Sequence, residues 1–136
     1  MEEKELIRAA MEARKKAYAP YSDFMVGAAL MTDSGKIYQG CNIENASYGA
    51  TNCAERTAVF CAVSEGEIRF KAIAIIGGMR NKELTYAFPC GICRQVLREF
   101  CEPDQMLVIV ARSETDYKKM KLSELLPESF GPDFAG

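Results

Sequence analysis

Cys53-Ala54-Glu55-Arg56 and Pro89-Cys90-Gly91-Ile92-Cys93-Arg94-Gln95 hold between them three sulfurs and a carboxylate. Cys90 and Cys93 have the Cys-x-x-Cys spacing that lets two sulfurs reach one zinc ion from a turn entering a helix. Cys53 can supply a third sulfur from a second helix start. Three protein ligands leave a tetrahedral zinc one open position, fit for a water. Glu55, two residues after a ligand, can reach that water without being a ligand itself. This layout suits a catalytic zinc better than a structural one. Two other readings stay open on these residues alone. Cys41, at the end of a strand, is the credible fourth ligand of a structural four-cysteine zinc, and Cys90 with Cys93 would suffice for a thiol redox centre. Cys61 and Cys101 fall in helix bodies, where small buried thiols are common.

The chain has no histidine. A Ser-His-Asp or Cys-His nucleophile system and imidazole ligands are thereby excluded. A proton carrier working near neutral pH is then expected to be a carboxylate of tuned pKa.

The elements that must position these groups follow from periodicity. Residues 3–18 read as an amphipathic helix, with Leu6, Ala10, Ala13 and Ala17 at three- and four-residue steps and Pro20 as its stop. Residues 24–31 are nearly all apolar, a strand covered on both faces, and Gly35 turns the chain into a second strand over 37–41. A polar loop follows over 42–49. Residues 52–64 read as a helix with Asn52 as N-cap and Gly66 as its C-terminal stop, which sets Cys53 in the first turn, where the helix dipole favours a thiolate. A third strand is expected over 70–76, a break at Gly77-Gly78, an irregular loop over 79–88, a helix over 91–101 and a fourth strand over 106–111. Residues 117–120 suit a fifth strand and 123–126 a short capped helix, with 130–136 mobile or partner-dependent. Strands alternating with helices imply helices on both faces of a mixed sheet, an α/β fold.

A length of 136 residues, 49% of them hydrophobic, suits one domain over 1–136. The 17 basic and 19 acidic residues are interspersed, for a net charge of −2, so nothing marks a nucleic-acid surface. No apolar run is long enough for a membrane span, and the start does not read as a signal peptide. Six cysteines without a secreted context fit a cytoplasmic protein with metal-bound and free thiols.

Four stretches, Phe24-Met25-Val26-Gly27-Ala28-Ala29, Gly40-Cys41-Asn42-Ile43-Glu44-Asn45-Ala46, Cys53 to Ala58 and Pro89 to Gln95, closely resemble the short, tetrameric, zinc-dependent cytidine deaminases. The likeness runs from about Tyr18 to Phe130. It implies a three-layer α/β/α sandwich with a roughly five-stranded mixed sheet, one Zn²⁺ per subunit on Cys53, Cys90 and Cys93, and Glu55 as proton shuttle. A zinc-bound hydroxide would attack C4, with Glu55 delivering the proton to N3 and then to the leaving ammonia. The products would be uridine and 2′-deoxyuridine, made in pyrimidine salvage. Asn42 and Glu44 match positions that hold the ribose hydroxyls, Phe24 one that packs on the base, and the Ala54 N–H one that meets its exocyclic edge. Ala46, Tyr48 and Phe130 match positions through which neighbouring subunits complete the site, implying a homotetramer. Arg56 is similar to the family arginine that bonds the ligand sulfurs. Three thiolates leave Zn²⁺ with a net charge of −1, which a guanidinium and two helix N-termini would offset. The Asn42-x-Glu44 pair with Phe24 argues against a blasticidin-type deaminase. Ile92, Phe88 and the 79–88 loop depart from the family pattern, and all three bear on the pocket rim.

Overall fold

β1 (Phe24–Thr32) is apolar nearly throughout because it lies inside the sheet with both faces covered. The computed structural model describes residues 2–132. β2 (Ile37–Cys41) and β3 (Phe70–Met79) flank β1, both antiparallel to it. β4 (Leu107–Ala111) runs parallel to β3, and β5 (Tyr117–Lys121) returns antiparallel to β4. The five-stranded order is β2-β1-β3-β4-β5, so β2 and β5 are the edges. A parallel β3–β4 pair needs a crossover, and α3 (Gly91–Arg98) lies in that connection.

The two-residue period of the strands sorts their side chains into two cores. Ala28, Leu30, Ile73, Ile75, Val108 and Val110 join residues of α2 (Ala54–Ser64), α3 and α4 (Leu122–Leu125) on one face. Ala29, Met31, Ala72, Ala74, Ile76 and Ile109 pack with Leu6, Ile7 and Ala10 of α1 (Glu3–Arg14) on the other. The expected three layers and fifth strand are therefore present. α1 sits close on β1, where a β-carbon at Gly27 would lie 2.1 Å from the Ala10 carbonyl oxygen.

Four boundaries differ from expectation. α1 ends at Arg14 and not at Tyr18, because the chain leaves it to pair with the 42–49 loop: Tyr18 N–H donates to Asn42 O at 3.0 Å and accepts from Glu44 N at 2.9 Å through its own carbonyl. α2 starts after Cys53, since Asn52 is held in an extended bridge with Ile43 by two 2.9 Å hydrogen bonds and cannot serve as the cap. α3 ends at Arg98, short of Cys101. Gly77-Gly78 is no break; β3 runs through both, and Thr85 N–H donates to Gly77 O at 2.8 Å as the next loop folds back on it. Of the tail expected to be mobile or partner-dependent, residues 133–136 lie outside the described residues.

Candidate active site

Cys53 is the N-cap residue of α2 and Cys90 the N-cap residue of α3, so two helix starts converge on one point. The Thr57 hydroxyl ties α2 to the end of β2 by donating to Cys41 O at 2.9 Å. On the other side, Arg94 donates to Pro89 O at 2.7 Å and to Leu125 O at 2.8 Å, fixing the turn that enters α3. The Sγ atoms of Cys53 and Cys90 stand 3.7 Å apart, and the three sulfurs of Cys53, Cys90 and Cys93 all lie within 4.8 Å of one another. Two sulfurs on one tetrahedral zinc, each at ~2.3 Å, are about 3.8 Å apart. The donor set therefore fits zinc. Among the described residues this is the one group of three metal-ligating side chains so placed. Cys41, the alternative fourth ligand, instead lines a separate cleft with Cys61 between β2 and α2, so the four-cysteine arrangement is not formed.

The electrostatics accord with an anionic centre. Hydrogen bonding from Cys93, then from Arg56 and Cys90, brings the Cys53 thiol down to about 5. Cys93 moves up, its proton shared with the Cys53 sulfur and its surroundings buried. A divalent cation held by these sulfurs would displace the protons they carry. Arg56 Nη2 donates to Cys53 Sγ at 3.4 Å, while its buried Nε has no hydrogen-bond partner among the described residues. Burial pushes the unused Cys101 thiol to about 12 and raises Cys41 as well.

Glu55 is 4% exposed, and loss of hydration is the main cause that lifts its carboxyl to about 7, with the Cys53 charge adding to it. It lies on a cavity of about 350 Å³ whose apolar wall is Phe24, Val26, Ile75 and Ala87 and whose polar wall is Asn42 and Glu44. Asn42 bonds the β1 backbone at both ends, accepting from Val26 N at 2.9 Å and donating to Phe24 O at 2.8 Å, which leaves one amide N–H uncommitted. The Glu44 carboxylate accepts from Tyr21 N at 2.9 Å, from Ser22 N at 3.1 Å and from the Ser22 hydroxyl, and these bonds hold it below the usual carboxylate range.

The cavity thus gathers Phe24, Asn42, Glu44, Cys53, Ala54, Glu55 and Cys90. Cys93 is buried in α3. Ala46, Tyr48 and Phe130 do not line it within one chain; Tyr48 is 76% exposed and Phe130 87%. Tyr48 edges onto the Tyr21 ring at 6.1 Å, and the Phe130 carbonyl accepts from Gln95 Nε2 at 2.8 Å. Ser22 escaped the sequence reading. Only the turn signal of Pro20 preceded it, and nothing local points to a partner 22 residues on.

The family model described as the cytidine and deoxycytidylate deaminase zinc-binding region matches residues 1–110. The chain belongs to this family. Zinc is the metal of that region, and Cys53, Cys90 and Cys93 form the cluster that could hold it. Among curated deaminases, the cytidine deaminase of Sporosarcina psychrophila is 45% identical, covering 98% of this chain and 94% of its own length. That of Halalkalibacterium halodurans is 47% identical, covering 96% and 95%. The crystal structure of cytidine deaminase from Burkholderia pseudomallei superposes with a TM-score of 0.83 at 48% identity, covering 93% of this chain and 97% of the other. The deaminase fold and family expected from the four motifs are thereby established.

Proposed function

We propose that this chain hydrolyses cytidine and 2′-deoxycytidine to uridine and 2′-deoxyuridine plus ammonia, as a step of pyrimidine salvage in the cytoplasm. The observation that carries the reading is a buried carboxyl, Glu55, that is not a ligand yet shares a cavity with a three-sulfur cluster. Zinc held by Cys53, Cys90 and Cys93 supplies a Lewis acid that acidifies water. Glu55, lifted to about 7, can take one proton from the attacking water and pass it to N3, then carry the second to the departing amine. The C4–O bond forms first, as N3 is protonated; the proton of the new C4 hydroxyl then goes to the amine as the C4–N4 bond breaks, and ammonia leaves. Ala54, at the first position of α2, offers its backbone N–H to the exocyclic edge. Phe24 packs on the base.

The spare N–H of Asn42 and the carboxylate lone pairs of Glu44 suit ribose hydroxyls. Among the described residues no Lys or Arg lines this cavity, and Glu44 would repel a phosphate, which favours a nucleoside over a nucleotide. Arg56 offsets the charge of the thiolates without touching substrate. The exposed Ala46, Tyr48 and Phe130 are assigned to contacts with neighbouring copies in a homotetramer of single-domain subunits.

The test is cytidine deamination followed by ultraviolet absorbance, with zinc-loaded parent and Glu55→Gln compared at equal zinc content. Turnover in the parent and a loss of roughly 10²-fold or more in the variant is expected. A zinc-loaded parent that converts neither nucleoside would sink the assignment.

A further inference from the structure

Tyr86 sits two residues before Phe88 and four before Cys90, in the loop that joins β3 to α3. Two cations approach its ring: Arg112 Cζ is 4.5 Å and Lys118 Nζ 4.6 Å from the centroid. Its hydroxyl donates to Asp116 Oδ1, and Asp116 is in turn held by Arg112 Nε at 2.8 Å. Arg112 follows β4, Lys118 belongs to β5, and Asp116 lies in the turn between. One aromatic side chain therefore fastens the loop to the β4–β5 hairpin.

The other side of the loop is set by β3. Thr85 pairs with Gly77, and a β-carbon at Gly77 would lie 2.9 Å from the Ala87 side chain, so the loop rests directly on the strand. Ala87 and Phe88, which line the cavity, follow directly on these attachments and lead through buried Pro89 to Cys90. Lys118 Nζ stands 5.9 Å from the Phe88 ring as well, so the same cation faces both aromatics.

We propose that Tyr86 is a positioning residue for substrate: the clasp of Arg112, Asp116 and Lys118 fixes the Ala87–Phe88 wall and so sets nucleoside affinity without entering the chemical step. The inference rests on the deaminase reading for its substrate, but not for its structural content. The sulfur cluster is anchored separately, by Arg94 on Pro89 O and Thr57 on Cys41 O, so loosening the clasp leaves the metal in place. Two cations against the ring and a charge-assisted hydrogen bond at its tip make it a firm tether.

The experiment compares zinc-loaded full-length parent, Tyr86→Leu and Tyr86→Phe. In Tyr86→Leu, KM for cytidine should rise roughly tenfold, the scale of losing a cation–π contact and a hydrogen bond. The same variant should keep kcat within about twofold and bind zinc fully, whereas a residue needed only for folding would lower occupancy and kcat together. Tyr86→Phe keeps the ring and should recover most of the affinity. Amide hydrogen exchange should quicken at Thr85 to Phe88 in Tyr86→Leu while β4 stays protected. Unchanged KM with unchanged exchange, or a fall in kcat at constant KM, overturns the proposal. If Tyr86→Leu does not fold, Lys118→Gln, on an exposed side chain, must raise KM and loop exchange in the same direction, and no change in either overturns it. A parent that deaminates no cytidine refutes the proposed function alone, and the exchange comparison then decides the clasp.

Discussion

Gly40 passes so close to Ala54 that a β-carbon on it would lie 2.4 Å from the Ala54 carbonyl oxygen and 2.5 Å from Ala58 N. The start of α2, which bears Cys53 and Glu55, is therefore seated on β2 by a missing side chain. Gly40→Ala must push the helix outward. Stability should fall by roughly 1–3 kcal/mol, the usual cost of overpacking. Zinc affinity should fall with it, because one ligand moves while two stay. Thermal melts and metal titration of the variant check both; an unchanged melting point would contradict the close seating.

Arg56→Ala should lower kcat roughly tenfold while zinc stays bound, since the guanidinium touches a ligand sulfur and lies outside the substrate cavity. Arg56→Lys should not restore the rate, because a flexible ammonium does not reproduce the fixed planar guanidinium beside Cys53 Sγ. Metal content measured beside steady-state kinetics separates this from ligand loss, and unchanged kinetics in Arg56→Ala would remove the role.

Glu55 gives the zinc-free protein a pH-dependent stability of definite sign. Its native carboxyl titrates at about 7 against an ordinary value of 4.5. Between those values the native state keeps a proton that the unfolded chain has lost, so stability falls as pH rises through the window and levels off above it. The loss is at most about 3 kcal/mol. With zinc chelated away, urea midpoints of the parent should drop across this window more than those of Glu55→Gln. Parallel profiles would mean that the carboxyl is not buried as described.

Glu44 has the opposite sign. Its pKa lies below 4.5 because the Ser22 hydroxyl and two backbone amides favour the charged form. Its stabilising share is complete above that value and is lost as pH falls through the lower native one. Glu44→Gln should raise KM for cytidine far more than it lowers kcat, and its stability gap to the parent should close in acid. A gap that stays constant down to the lowest folded pH would show that the carboxylate bonds contribute nothing.

The metal-ligating set and the layer order were legible because both are written locally. Cys-x-x-Cys fixes two sulfurs within one helical turn, and strands separated by helices put helices on both faces of a mixed sheet. Contacts made far along the chain left no such mark. Gly77-Gly78 has the composition of a turn, yet its missing side chains serve a loop that folds back onto the strand. Asn52 is a good cap by type, but pairing with Ile43 took its backbone and moved the cap to Cys53. Tyr86 meets residues 26 to 32 positions away, and nothing around it in the sequence announces them.

β5 closes one rim of the sheet with Tyr-Lys-Lys-Met-Lys, and its three lysines are all exposed. A second copy that tried to extend the sheet there would set like charges against each other along the seam. Continuous growth of strands from molecule to molecule is disfavoured on that side.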